Sequence, residues 1–505
     1  MNRRTLLKNL LSAAGQTVVQ TVLLFFLYRY LIRQLGIEQF GIWSVVLATA
    51  SAARISELGL SSSVTRFVAT YRAQGDDRAA GETLQTAAVA LAVVLGLFLF
   101  ALYPVFVIVL RFVVPPEAIA AATGILPFAL VSMWLIAMSG LWLGGLDGCL
   151  RTDVRAALVT SSSVAYVAMA VVGVRNYGLY GLAVAQVGQG LLLMVFGWLA
   201  IRRVIGGLPA VPVQWRRARF VEIFGYGANV QVMTAVTILL DPATKVMFAR
   251  FGGLSATGYF ELTQQLVLKM RALIVESNRV IVPVMAGMAE QGNDARRLYA
   301  TNVRYLVFLI TPMFAGLASL APGIAEIWLG YYERDFVVMT VALTAAWYLN
   351  SLSAPAYFSY LGEGRLRWLT ASHAIMGVSN VALGAALGYL FGWPGVLAAF
   401  STSLVIGGFV AVSAYHREHH IRVRDVVSRQ DLLMAGTCMV LAVISVCGYD
   451  LMIEFGLSAS SRVAFLAVTG LAIAAATWRH PLASALLMRV RRRASRGVKG
   501  VGGVR

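Results

Sequence analysis

Residues 10–32 read LLSAAGQTVVQTVLLFFLYRYLI, and the fold depends on whether this run is a cleaved leader or a membrane helix. As a helix it is long enough to cross the roughly 30 Å hydrocarbon core of a bilayer. It is too long for a signal peptide and, with Gln16, Gln20 and Arg29, too polar. Ser12, Ala13 and Ala14 also precede its apolar part, where a cleavage site would have to follow it. The run is therefore expected to be a first span. Comparable runs centre near residues 50, 98, 132, 164, 190, 234, 270, 312, 348, 380, 404, 442 and 470, which makes fourteen. Hydrophobic residues make up 59% of the 505-residue chain and charged residues 13%, a balance that excludes an ordinary soluble domain. The expected fold is an all-α polytopic membrane protein.

The formal net charge of +19 would suit nucleic acid if it lay on one soluble surface, but its placement points elsewhere. With the amino terminus inside, basic groups fill the cytoplasmic segments: Arg3, Arg4 and Lys8, then Arg66, Arg72 and Arg78, Arg151 and Arg155, Arg202 to Arg219, Arg296 to Arg304, Arg365 and Arg367, Arg417 to Arg429, and the tail from Arg479. The other side holds little beyond Arg33, Arg111, Arg175, Arg250, Arg334 and Arg462, a bias of about five to one. Both termini are expected in the cytoplasm, with the basic tail beside anionic lipid and no nucleic-acid partner. Cys149, Cys438 and Cys447 have neither ligand spacing nor an obvious pairing and are expected to be packed thiols.

An internal repeat appears at an offset of 217 residues. Arg33, Gly36 and Gly41 fall on Arg250, Gly253 and Gly258; Gln74, Gly75 and Asp77 fall on Gln291, Gly292 and Asp294. Small slips carry Gly148, Leu150 and Arg151 onto Gly364, Leu366 and Arg367, and Gly178 and Gly181 onto Gly392 and Gly395. The expected organisation is two pseudo-symmetric six-helix bundles in parallel orientation, over residues 1–203 and 220–420. A cytoplasmic linker, 204–219, carries Gly206, Gly207, Pro209 and Pro212. Helices 13 and 14, over 421–488, stand outside the repeat, and 489–505 is the basic tail.

Ionisable side chains well inside the apolar spans fall in the first two spans of each half. A charge at the bilayer centre costs roughly 2.5 to 3.5 kcal/mol even on the lenient insertion scale, so such residues face water or a partner. The cations Arg29, Arg54, Lys245, Lys269, Arg271 and Arg279 are the candidate substrate-binding set; Glu57, Asp241 and Glu276 are candidates for ion coupling, and Glu261 completes the group. The offset places Arg54 on Arg271. On the eighth span Glu261, Gln265, Lys269, Ala272, Glu276 and Arg279 share a sector of about 80°, with Arg271 turned away from it. Gln231, Thr234, Thr237, Asp241 and Lys245 form a second polar stripe, where Pro242 is a candidate hinge. The bland reading is that Arg29, Lys245 and Arg279 reach the interface while Arg54 pairs with Glu57 and Asp241 with Lys245. The functional reading is a cationic cavity for a large anion such as a sugar-bearing pyrophosphate.

Glycines every four residues, at Gly140, Gly144 and Gly148 and at Gly384, Gly388 and Gly392, are expected to serve helix packing. His416, His419 and His420 lie on a basic turn and read as solvated, and His373 reads as an interior hydrogen-bonded residue. There is no phosphate-cradling glycine loop, so neither ATP hydrolysis nor a cofactor is expected, and no metal site is apparent.

The stretch Leu35, Gly36, Ile37, Glu38, Gln39, Phe40, Gly41, Ile42, Trp43, followed by Glu57, Leu58, Gly59, Leu60 and Arg66, and then by Gln74, Gly75 and Asp76, resembles the polysaccharide flippases. That family belongs to the multidrug/oligosaccharidyl-lipid/polysaccharide exporter superfamily. The resemblance implies a V-shaped pair of bundles in the bacterial cytoplasmic membrane, with a lateral portal at spans one, two, seven and eight. It implies alternating access that turns undecaprenyl-diphosphate-linked oligosaccharide to the outer leaflet without making a covalent bond, beside a polymerase or glycosyltransferase partner. Three readings stay open: a peptidoglycan lipid II flippase, a drug/cation antiporter of the same superfamily, and a non-transporting scaffold or glycan polymerase.

Overall fold

The computed structural model describes residues 3–57, 59–279 and 296–484, and among these the regular structure is helical, with no strand. Helix α1 (Arg3–Ser51) runs into a 3-10 turn (Ala52–Glu57) and then α2 (Leu60–Ala73). There follow α3 (Asp77–Val113), α4 (Pro116–Gly148), α5 (Thr152–Val204), α6 (Arg217–Arg279), α7 (Arg296–Leu329), α8 (Arg334–Ser351) and α9 (Ala354–Glu363). The series ends with α10 (Arg367–Phe391), α11 (Trp393–Glu418), α12 (Arg429–Glu454) and α13 (Ala459–Trp478). Among the described residues ten helices are long and apolar enough to cross a membrane, against fourteen expected spans. Two of the ten, Val18–Ile55 and Thr152–Val204, are broken internally at a glycine. The chain is an all-helical, multi-pass membrane protein.

The breaks explain how one long helix serves as two. The backbone leaves the helical region at Gly36 (φ 80°), Gly178 (φ 56°) and Gly253 (φ 80°), and Gly392 (φ 67°) separates α10 from α11. These are the glycines that the repeat sets on one another, Gly36 on Gly253 and Gly178 on Gly392. A side chain there would meet its own carbonyl in the left-handed region, so glycine lets the chain reverse at each place without that cost. The expected hinge at Pro242 is not where α6 breaks: its backbone stays helical through the proline and departs at Gly253.

The chain divides into two compact units, one of Met1–Leu262 with Gly377–Phe400 and the other of Thr263–Met376 with Ser401–Arg505. In the first unit α4 packs along α5 and α2. Trp142 of α4 and Trp198 of α5 meet at 4.7 Å between centroids. Gly144 and Gly148 lie so close to Ser61 and Thr65 of α2 that an added Cβ would fall 2.9 and 2.8 Å from their carbonyl oxygens. The expected packing stripe is thus a seam between backbones.

A second close approach in this unit is symmetric. A Cβ on Gly41 would lie 2.0 Å from the Leu254 carbonyl oxygen, and one on Gly258 would lie 2.8 Å from that of Ile37. At the offset of 217, Ile37 corresponds to Leu254 and Gly41 to Gly258, so position i of one half meets j of the other and j meets i. Reciprocal contacts of this kind mark a two-fold relation between the paired segments.

In the second unit Tyr299, Val303, Val307, Tyr360, Leu369, Tyr415, Met434, Cys438 and Ile473 form a continuous apolar core. Helices α12 and α13 pack on α7, where Ser319, Ser445 and Thr469 exchange buried hydrogen bonds of 3.1 to 3.3 Å. Of the thiols, Cys438 is buried, but Cys447 is exposed, because its face of α12 turns outward; the expectation of packed thiols fails there.

Candidate functional site

In the first unit the charged residues converge because α6 doubles back at Gly253. Asp241 and Lys245 stand one helical turn apart before the break, and Glu261 comes two turns after it. The Lys245 ammonium lies 2.6 Å from Asp241 Oδ2 and 2.6 Å from Glu261 Oε2. Ser44 Oγ donates to Glu261 Oε2 at 3.1 Å. Ser44 and Glu261 are again equivalent positions of the repeat, and Lys245 corresponds to Tyr28, whose phenol lies near enough to feel the Glu261 charge. Lys245 and Glu261 are buried, whereas the Asp241 side chain is 37% exposed. Two carboxylates around one ammonium leave one formal negative charge, held in place by charge-assisted hydrogen bonds. Beside them Asn380 Nδ2 donates to Thr244 Oγ1 at 2.9 Å in full burial and ties α10 to α6.

Elsewhere in this unit the character changes. An apolar cleft of about 690 Å³ is lined by Thr49, Val105, Phe106, Leu240, Pro242 and Val378 among others, and it suits hydrocarbon better than a polar group. Arg54 sits on the 3-10 turn that interrupts the second span; its Nε lies 3.2 Å from Glu57 Oε1. Its side chain is 56% exposed, so the pair is screened and constrains the guanidinium only weakly. Arg29 is half-buried and has no ion pair among the described residues.

In the second unit Arg271 turns away from the polar stripe of its helix, as its angular position required. Its guanidinium carbon stands 4.6 Å from the centroid of the Trp347 indole on α8. The indole N–H donates to Gln264 Oε1 at 3.0 Å, and both Trp347 and Gln264 are buried. Tyr357 and His373 also lie within reach of the Arg271 charge, and their rings meet edge to face at 5.9 Å. No carboxylate pairs with Arg271 among the described residues, and its Nε is buried without a hydrogen-bond partner. Lys269, half-buried on the same helix, likewise has no ion pair among them.

The structure therefore gathers Asp241, Lys245 and Glu261 with Ser44, sets Arg54 beside Glu57, and stacks Arg271 on Trp347. The side chains of Glu276 and Arg279, and those of Gln231, Thr234 and Thr237, lie outside the described residues. Trp347, Gln264 and Ser44 were not singled out as site residues from sequence. Ser44 carried a signal in its offset from Glu261; an indole in an apolar span carried none. Among the described residues no three His, Cys, Asp or Glu side chains are placed to hold a metal ion.

Solved structures of several transporters share this fold. A multidrug resistance transporter of the MATE family and MOP superfamily, in an inward-facing conformation, superposes with a TM-score of 0.67 at 14% identity, covering 80% of this chain and 98% of its own. The lipid II flippase MurJ, in an inward closed conformation, gives 0.65 at 12% identity over 92% of this chain and 99% of its own. A MOP superfamily transporter from Pyrococcus furiosus, described as having a binding pocket of reverse polarity, gives 0.60 at 13% identity over 82% and 95%. Identities this low establish a shared fold. No curated protein matches the sequence at a significant level. The sequence model of the family described as "Polysaccharide biosynthesis protein" matches residues 6–289, more than half of the chain, and the chain belongs to that family.

Proposed function

We propose that this protein is a flippase for undecaprenyl-diphosphate-linked oligosaccharide, the repeat unit of an O-antigen, capsule or exopolysaccharide. It moves its substrate from the cytoplasmic to the outer leaflet of the bacterial cytoplasmic membrane, with both of its own termini in the cytoplasm. The observation that carries this reading is Arg271, a cation set over the Trp347 ring with no carboxylate on it among the described residues. Such a group is stable only if an anion visits it or water reaches it. A diphosphate supplies the charge, and Lys269, Arg54 and Arg29 add to the electropositive character of the first two spans of each half. Arg279 and Glu276 belong to the same proposal by position. Lys245 plays a different part, since Asp241 and Glu261 already neutralise it. That triad, with its spare negative charge, is the better candidate for ion coupling, alongside Glu57. No covalent bond is made; binding energy compensates the headgroup for lost water while the prenyl tail stays in lipid.

The test is reconstitution of the purified chain in vesicles, following outer-leaflet exposure of a fluorescent oligosaccharide on undecaprenyl diphosphate. Wild type is expected to accelerate exposure, and Arg271→Ala to abolish it while remaining in the membrane. Normal flipping by the double variant R54A/R271A would sink the reading. The likeness in fold to a lipid II flippase across 92% of the chain favours a second substrate, the peptidoglycan precursor. Offering lipid II in the same vesicles separates the two.

A further inference from the structure

We propose that Trp347 is a positioning residue that presents the Arg271 guanidinium to the diphosphate headgroup; this rests on the flippase reading above. A free arginine side chain carries considerable rotamer entropy, which headgroup binding would have to remove. Proteins usually hold a guanidinium with a carboxylate, but that partner also cancels the charge a phosphate needs. An indole face does not. At 4.6 Å it attracts the cation through its quadrupole and leaves the net charge intact. An aromatic ring also accepts no charge-cancelling ion pair from the guanidinium, so the N–H groups that grip a phosphate in bidentate fashion are not committed to a carboxylate by this contact. The Arg271 Nε is buried with no hydrogen-bond partner among the described residues, a donor that an entering anion would satisfy. The platform is itself fixed: the indole N–H is committed to Gln264 Oε1 at 3.0 Å, and both side chains are buried. Lys245 makes the contrast, being clamped by two carboxylates and neutralised by them.

The experiment measures binding of two probes to the full-length chain in phosphatidylethanolamine/phosphatidylglycerol nanodiscs. Undecaprenyl diphosphate carries the headgroup charge, and undecaprenol shares only the tail. Wild type should prefer the diphosphate, and Arg271→Ala should lose that preference. Trp347→Leu should weaken diphosphate binding about tenfold, the worth of a desolvated cation–π contact. Its undecaprenol binding should not change. Trp347→Phe keeps a flat aromatic face and should stay within about threefold of wild type. In an Arg271→Ala background Trp347→Leu should add nothing, because the indole acts through the arginine. If Trp347→Leu does not accumulate, Trp347→Met keeps an apolar side chain of useful size without the ring, and the same outcome is expected. The inference falls if Trp347→Leu weakens both probes equally, if its effect survives loss of Arg271, or if the phenylalanine variant fails as badly as the leucine one. Wild type that prefers the diphosphate through Arg271, with Trp347→Leu unchanged, overturns this inference alone. Wild type with no preference removes the flippase reading and this inference with it.

Discussion

Lys245 shows why a charge inside a span is informative only with its partners. The i,i+4 pair with Asp241 was legible in the sequence, and so was a turn near Gly253, but the register that brings Glu261 across that turn to Lys245 was not. Removing one member of a buried ionic group strands the rest, at a cost of about 3–5 kcal/mol. Lys245→Met is therefore expected to lower the melting temperature of the detergent-purified protein sharply, and Asp241→Asn with Glu261→Gln in the same chain should recover most of the loss. No recovery would mean that the lysine matters through packing alone. His419 offers a second test, outside the spans. Its pKa is raised above the ordinary histidine value, chiefly by the hydrogen bond to Glu363, whose Oε1 lies 3.2 Å from Nε2. The Tyr415 ring stacks on the imidazole at 4.0 Å, and the Arg365 charge opposes the shift. A folded pKa above the unfolded one means that the folded state holds the proton more tightly, so stability falls as pH rises. The contribution is complete below about pH 6.5, the unfolded value, and disappears as pH climbs through the raised folded value. Melting temperature against pH should decline across that window in wild type and flatten in Glu363→Gln.

At the scale of helices, apolar runs of span length were readable because hydrocarbon forces every backbone group into a helix. Where those helices break was only partly readable. Pro242 drew attention because it removes a donor, yet a single missing hydrogen bond did not take α6 out of helical geometry. The effective breaks need positive φ, which glycine supplies, and the repeat had already matched Gly36 with Gly253. Gly41 and Gly258 are matched in the same way but do a different job, at negative φ, where each admits the backbone of the opposite segment. The two are not equally tight. A Cβ at Gly41 would sit 2.0 Å from a carbonyl oxygen and one at Gly258 at 2.8 Å. Neither oxygen is a flexible side-chain end, so the helices themselves must part, at about 1–3 kcal/mol or more. Gly41→Ala should therefore reduce melting temperature and membrane yield more than Gly258→Ala. Equal tolerance of both would mean that this crossing is not held as tightly as the geometry indicates. The Arg271–Trp347 stack belongs to the unreadable part: tryptophan in an apolar span has many uses, and only tertiary packing chose this one.

For the whole chain, the proposal of fourteen spans with both termini inside rests on charge asymmetry and on the glycine breaks, and it makes a prediction for each turn. Gln74, Gly75 and Asp76 lie between α2 and α3 on the expected cytoplasmic side, with Arg72 and Arg78 beside them. Glu117 at the start of α4, Tyr177 at the break in α5 and Tyr331 between α7 and α8 lie on the expected outer side. Replacing the native thiols and installing one cysteine at a time turns topology into an accessibility measurement. Cysteines at Gln74 and Arg365 should resist an impermeant maleimide in intact spheroplasts and react once the membrane is opened. Cysteines at Glu117, Tyr177 and Tyr331 should react at once. The Tyr177 result has the most weight, because the 53 residues of α5 leave helical geometry only at Gly178 and make two spans only if that break is a reversal at the outer surface. A shielded cysteine there, with Gln74 also shielded, would mean that α5 does not cross twice, and the parity that puts both termini on one side would fail with it.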